Sequence, residues 1–274
     1  MVLTPPGSCV FWGNTFFVRG LSLFRILAID IGNTRASFAH FENRALIGRR
    51  DVLTSNFSDL ARDIFGTRID ACVVSNVARN RAFFEDWIKA RFKKRVFCVE
   101  VSNYPWPIRY SPIESLGHDR IVNALSAHEI APMGAIIVDL GTATHFDIVA
   151  PDGTFLGGPI LAGIETMLSA LTDRIPHLPE VSLAARTIEP VSQNTRSAIY
   201  SGTLLGAVGG IERILEAIKA EIDFSPCVIL TGGNASSVAH HLKHDLWIPE
   251  LTLKGLAIYG ERMLRKAGVF RATA

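Results

Sequence analysis

Cysteine pairs, an excess of charge of one sign and long apolar runs are all missing from this chain. Its four cysteines, Cys9, Cys72, Cys98 and Cys227, are far apart and form no C-x-x-C pair. A reduced, cytoplasmic setting is the simpler expectation, with Cys72 and Cys98 as small core residues. The 28 Lys and Arg stand against 26 Asp and Glu, so the formal net charge is only +2. That balance offers no field for nucleic acid or for an anionic membrane, and neither is expected as a partner. No apolar run reaches transmembrane length. Residues 1–24 carry an apolar patch from Cys9 to Phe17, but Gly13-Asn14 interrupts it and no basic segment precedes it. This stretch reads as a disordered N-terminal extension rather than a secretory signal.

What the chain does have is core-forming material. Of its 274 residues 48% are hydrophobic, enough for one large domain or two small ones. The organising stretch is Ala135 to Gly163. There the apolar run Ile136-Ile137-Val138 delivers Asp139-Leu140-Gly141-Thr142-Ala143-Thr144 to a turn, Phe146 to Ala150 returns, and Thr154 to Leu156 follows a second turn. The same plan occurs earlier: Ile26 to Ile29, then Asp30-Ile31-Gly32-Asn33-Thr34, a return run Ala36 to Phe41, a turn at Glu42-Asn43-Arg44, and Ala45 to Ile47. Two copies of strand, Asp-x-Gly turn and return strand imply an internal duplication into two α/β lobes, residues 25–133 and 134–270. Paired turns of this kind supply backbone N–H groups for phosphates and carboxylates for a hydrated cation.

Between these copies, strands and helices alternate. Phe57 to Phe65 is expected to be a short helix, Ala71 to Val74 and Val96 to Val99 buried strands, and Ala82 to Phe92 a helix whose Phe83, Trp87 and Phe92 belong to a core. Pro105, Pro107 and Pro112 keep Asn103 to Ser115 irregular. Gly117-His118-Asp119-Arg120 then opens a helix, where Asp119 is either an N-cap or a general base. In the second half, Asn194-Thr195 opens a long helix in which Thr195 is a cap or a ligand contact. Gly202, Gly206, Gly209 and Gly210 leave one face smooth and call for close packing. Val228 to Leu230 reads as the last strand, ending at Thr231-Gly232-Gly233-Asn234, and Leu253 to Lys266 as the final helix. His240, His241 and His244 include an i, i+4 pair, but without an acidic or cysteine partner a solvated helix face is the better reading.

Five motifs, Asp30-Ile31-Gly32-Asn33-Thr34, Gly117-His118-Asp119-Arg120, Val138 to Thr144, Leu156-Gly157-Gly158 and Thr231-Gly232-Gly233, stand in the order and near the spacing found in type III pantothenate kinases. The resemblance covers about Arg25 to Leu264. It implies the duplicated ribonuclease-H-like, actin-like ATPase fold, with two similar lobes around a nucleotide cleft. It also implies ATP-dependent phosphorylation of pantothenate to 4'-phosphopantothenate, the first step of coenzyme A biosynthesis, by a homodimer. Carried over by position, the residues Asp30, Ile31, Gly32, Asn33, Thr34, Arg35, Ala36 and Ser37 form the first phosphate loop, with Asp30 helping to hold Mg²⁺. Asp139 matches the ligand of a monovalent cation, K⁺ or NH₄⁺, and Thr142 an ATP contact, with Gly232 and Gly233 against the adenosine. Tyr110, Gly117, His118, Asp119, Arg120 and Thr195 match the pantothenate site, Asp119 as general base and Thr195 as a contact supplied by the partner subunit.

One residue departs from the family pattern. His145 stands where a Thr or another small polar residue is usual, and strand alternation predicts that it faces outward. Two other functions compete with the resemblance. A same-fold kinase of another small alcohol, such as a sugar, is disfavoured by the Tyr110 and Gly117 to Arg120 match. A nucleotide-binding accessory or regulatory protein is disfavoured because a pure binder needs no base beside Asp30 and Asp139.

Overall fold

A computed structural model describes residues 24–57, 68–92, 95–183 and 187–269. The expected extension, apart from Phe24, and the expected helix Phe57 to Phe65, apart from Phe57, lie outside the described residues. The strands, in chain order, are β1 (Arg25–Ile31), β2 (Arg35–Glu42), β3 (Ala45–Leu53), β4 (Ala71–Asn76), β5 (Arg95–Cys98), β6 (Ala135–Leu140), β7 (Ala143–Val149), β8 (Phe155–Gly157), β9 (Ile160–Ala162), β10 (Cys227–Thr231) and β11 (Leu246–Trp247). The α-helices are α1 (Arg81–Arg91), α2 (His118–Ile130), α3 (Ile164–Arg174), α4 (Thr195–Glu221), α5 (Ala235–Val238) and α6 (Leu251–Lys266). They make two compact units. Among the described residues one is Ala131–Pro249; the other joins residues 24–130 to residues 250–269.

The sheet of the unit that holds β1 runs β3-β2-β1-β4-β5. β1 is antiparallel to β2 and β2 to β3, whereas β1, β4 and β5 are parallel. An unbroken apolar run suits β1 because it lies at the centre of the sheet with both faces covered, and Ile26 to Ile29 are all buried. The turn between β2 and β3 places Asn43 and Arg44 at φ 46° and 69°, the backbone that a tight two-residue hairpin demands. One face of the sheet packs Leu27, Ile29, Phe38, Cys72 and Val74 against Phe57 and against Phe84, Ile88 and Phe92. Phe57 is the hub: its ring centroid lies 5.4 Å from Phe38, 5.0 Å from Phe84 and 5.3 Å from Trp87. Phe83, expected in this core, is instead 56% exposed. Phe84, Ile88 and Phe92 keep the four-residue spacing that holds one helical face inward, and Phe83 falls off it.

The opposite face of this sheet receives α6. A Cβ built at Gly260 would lie 2.5 Å from Val73 Cγ2 and 3.0 Å from Ile26 Cδ1, so only glycine lets the helix approach this closely. The final helix therefore packs on the first sheet, which places it apart from the expected 134–270 lobe. Its apolar stripe, with Leu253, Leu256 and Leu264 buried, finds its cover there.

In the other unit the strand order is β11-β10-β6-β7-β8, with β9 pairing β7 as well. β6 takes the central place of β1, a hairpin leaves it on one side, and parallel strands lie on the other. The topology thus repeats strand for strand, as the duplicated motifs require. β11 is the last strand, not Val228 to Leu230; its Leu246 and Trp247 add a two-residue edge too short to show a period. The core joins Ile136, Val138, Leu140 and Phe146 to Tyr200, Leu204, Ala207 and Ile211 of α4. The glycine face of α4 does not pack as expected. Among the described residues a Cβ at Gly202, Gly206 or Gly209 would meet nothing within 4 Å, and one at Gly210 only Leu161 Cδ2 at 3.9 Å.

Candidate active site

At the end of β1 the chain turns through Gly32, Asn33 and Thr34. Gly32 N donates to Arg35 O at 2.9 Å, and Val77 N donates to Ile31 O at 3.0 Å. Thr54 clamps the turn twice: Oγ1 donates to Gly32 O at 2.9 Å and N donates to Thr34 O at 3.0 Å. Ile31 and Ala36 are buried in the core, while Asn33, Thr34 and Arg35 are exposed. The side chains of Ile31 and Ala36 are therefore out of a phosphate's reach, whereas the exposed tip can offer side chains as well as backbone. Asp30 is half-buried, flanked in register by Ser37 on β2 and Ser75 on β4. The Ser37 hydroxyl donates to Asp51 Oδ1 at 2.6 Å, which ties it to β3.

A second cluster of the same unit surrounds the start of α2. Asp119 is the second helical residue, not the residue before the helix, and its Oδ1 accepts from Arg120 N at 2.9 Å. A Cβ at Gly117 would come within 2.4 Å of that oxygen. Glycine is thus what leaves room for the carboxylate. Arg120 is 4% exposed and its guanidinium lies 5.4 Å from the centroid of the Tyr110 ring, a cation–π contact worth about 2 kcal/mol when desolvated. The structure so brings Tyr110, Gly117, His118, Asp119 and Arg120 together. It adds Arg81, from the start of α1, which the sequence reading missed: Arg81 Nη1 lies 3.3 Å from His118 Nε2. Arg has no acceptor, so the ring must accept through Nε2 and is neutral, with its proton on Nδ1. Burial, and then the Arg81 charge, hold the His118 pKa below the ordinary imidazole value. Asn76 fixes the start of that helix, its Nδ2 donating to Arg81 O at 3.0 Å.

The corresponding turn after β6 is built by different residues to a similar plan. Gly141 N donates to Ala143 O and Gly163 N to Thr142 O, each at 3.0 Å, and Thr166 Oγ1 donates to Thr142 O at 2.7 Å. A Cβ at Gly163 would lie 2.2 Å from Gly141 O, so the start of α3 presses directly on the turn. Asn234 N donates to Leu140 O at 2.9 Å, the counterpart of Val77 N on Ile31 O. Gly232, at φ 92°, abuts Asp139: a Cβ there would sit 2.5 Å from Asp139 Oδ1. Asp139, Thr142, Gly232 and Asn234 thus share one locus, with Gly233 between the last two.

His145 corrects its expected orientation. It is 9% exposed, and its neighbours Thr144, Phe146 and Asp147 are buried as well. β7 has strands on both edges and cover on both faces, so alternation selects between two interiors instead of core and solvent. The ring nitrogens lie 3.1 Å (Nδ1) from Asp147 Oδ2 and 3.6 Å (Nε2) from Asp139 Oδ2. At α4 the cap is Asn194, whose side chain accepts from Ser197 N at 2.9 Å; Thr195 is the first helical residue and exposed, so the capping alternative for it falls away. His240, His241 and His244 do not share a helical face, because a 3₁₀ turn over Ala239–His241 ends in extended Leu242. Among the described residues no His, Cys, Asp and Glu group has the makings of a metal centre, and no helix is long and apolar enough to cross a membrane.

Two units of one topology, each presenting an Asp-bearing Gly/Thr turn at the end of its central strand, define the duplicated ribonuclease-H-like fold of phosphotransferases and related ATPases. Solved structures agree. A Baf family protein from Campylobacter jejuni aligns at TM-score 0.60 with 20% identity, covering 87% of this chain and 99% of that one. The activator of 2-hydroxyisocaproyl-CoA dehydratase from Clostridium difficile, with bound ADPNP, aligns at 0.51 with 13% identity, covering 92% and 100%.

Residues 26–217 match the family model described as type III pantothenate kinase. A type III pantothenate kinase of Myxococcus xanthus is 37% identical over 251 residues, 86% of this chain and 98% of that relative. One from Dehalococcoides mccartyi strain CBDB1 is 31% identical over 247 residues, 85% and 94%. The chain belongs to the type III pantothenate kinase family, and it is a kinase.

Proposed function

We propose that this kinase phosphorylates pantothenate from ATP, in coenzyme A biosynthesis, with Asp119 as the general base. The observation that carries the base assignment is the Gly117 to Arg120 cluster. A carboxylate on the first turn of α2 has its place because residue 117 is a glycine, next to a buried arginine whose guanidinium lies over the Tyr110 ring. In that arrangement Asp119 accepts the proton of the pantothenate hydroxyl as the phosphoryl group reaches the oxygen, late in a loose transfer. Arg120, buried against Tyr110, braces that side of the cluster, and neutral His118 contributes a ring N–H free of net charge.

The nucleotide reading rests on the two turns. The Gly32 to Thr34 backbone and the Thr142 turn offer N–H and hydroxyl donors to phosphate oxygens, with Gly232 and Gly233 against the adenosine. A single carboxylate beside an exposed turn suits Mg²⁺, which binds through one or two carboxylates together with phosphates and water. Asp30 is that carboxylate, and the ion, when bound, neutralises the phosphate oxygens. Asp139 suits a monovalent cation less well, because His145 faces its carboxylate, and no step is assigned to one.

We further read the active species as a homodimer in a cytoplasmic setting. The open face of α4, with Gly202, Gly206 and Gly209 unobstructed and Leu205 45% exposed, supports a second copy of the chain packed there, with Thr195 at the start of the same helix. The test of the central reading is Asp119→Asn. Pantothenate-dependent ADP release should fall by at least about a hundredfold, while ATP binding, read by calorimetry, stays near wild type. Undiminished turnover would return Asp119 to a purely structural place in the first turn.

A further inference from the structure

The second turn carries a buried imidazole between two carboxylates. His145 is the register partner of Asp139 across β6 and β7. Asp147, two residues on and so on the same face of β7, is fully buried and anchors the ring through Nδ1 at 3.1 Å. That anchor fixes Nε2 at 3.6 Å from Asp139 Oδ2. The other carboxylate oxygen is bounded by Gly232, whose backbone approaches so closely that a Cβ would stand 2.5 Å from Oδ1. Each oxygen of Asp139 therefore has a protein group close beside it.

Alkali cations take oxygen ligands in place of their hydration shell, whereas imidazole is a ligand of transition metals. A small hydroxyl residue at this position would add an oxygen beside Asp139; His145 adds a nitrogen-bearing ring that cannot swing away without breaking its contact with Asp147. We propose that His145 stands in for the monovalent cation that the family resemblance assigns to Asp139. The ring, braced by Asp147, holds the Asp139 carboxylate in place, and the chain turns over without K⁺ or NH₄⁺. His145 is in this sense a positioning residue of the second turn. The inference rests on the kinase reading given above.

The experiment measures pantothenate-dependent ADP release and thermal melting for wild type, His145→Thr and His145→Gln, in K⁺ and in tetramethylammonium at equal ionic strength. Glutamine supplies an amide oxygen and covers the case in which the threonine variant does not fold. Wild type should differ by less than about twofold between the two salts, and the variants should be stimulated by K⁺ at least about tenfold, the size of effect that groups around a metal ligand produce. The variants should also melt higher in K⁺ than in tetramethylammonium, because a bound ion stabilises the folded state, and wild type should not. Tenfold K⁺ stimulation of wild type, or folded variants indifferent to K⁺ in both rate and melting, overturns the inference. Absence of ADP from wild type in every salt overturns the kinase reading instead, and the melting comparison still decides whether His145 excludes the ion.

Discussion

Gly117 and His118 show how much of the substrate cluster hangs on single residues. Glycine at 117 leaves the Asp119 carboxylate its place, and Arg81 holds the next ring neutral. Because burial and Arg81 depress the His118 pKa, the unfolded chain takes up a proton at a pH where the folded chain refuses it. Stability therefore falls as pH drops below the ordinary imidazole value of about 6.5 toward the folded-state pKa. Asp119, Glu85 and Glu100 act in the opposite sense on the same ring, so removing Arg81 leaves only burial to oppose them. Arg81→Met should move the His118 titration to higher pH, read from its imidazole proton resonances, and should raise KM for pantothenate with KM for ATP little changed. An unmoved titration would mean that the Arg81 contact does not form. None of this was legible in the sequence, since Arg81 lies 37 residues before His118 in a stretch that carries no motif.

At the scale of elements, α2 is placed by α6. A Cβ at Gly255 would lie 1.9 Å from Val122 O, so the helices touch backbone to backbone, and Thr252 Oγ1 donates to Asn123 Oδ1 at 2.8 Å one turn away. Arg44, at the β2–β3 hairpin, ties both helices down through Glu129 and Glu261. Gly255→Val forces the helices apart, at a cost of about 1–3 kcal/mol typical of overpacking. The expected outcome is a lower denaturant midpoint together with reduced kcat/KM for pantothenate, since α2 carries Asp119. A variant that lost stability and kept full kcat/KM would show that α2 holds its place without α6. Strands and helices themselves were largely readable. The runs Ile26 to Ile29 and Ile136 to Val138 are central strands, and Ala82 to Phe92 is α1 shifted by one residue. The misses were the two-residue β11, the three-residue β9 and the inward face of α1, which turn on pairing and on angle, not on composition.

At the scale of the whole molecule, the duplication repeats one topology with different clamps: Thr54 and Val77 hold the first turn, and Gly163, Thr166 and Asn234 the second. The open glycine face of α4 belongs to this scale too. Sedimentation should give twice the 30.0 kDa chain mass, and Gly206→Glu, at the exposed centre of that face, should shift it to the single-chain value. A wild-type chain that sediments as a monomer at micromolar concentration would remove the homodimer from the proposal.

The sequence by itself determined the two central strands, the Asp-x-Gly turns and the catalytic candidates on α2, because apolar runs and turn residues act over a few neighbours. Tertiary structure decided where the last helix goes, that His145 is enclosed between carboxylates, and which side chains clamp the turns. The place of the last helix and the clamps depend on contacts between residues far apart in the chain, such as Thr54 with Gly32 and Arg44 with Glu261, and the carboxylates around His145 are near in sequence but are brought to the ring by strand pairing and burial; a local pattern carries no record of which distant face will cover it.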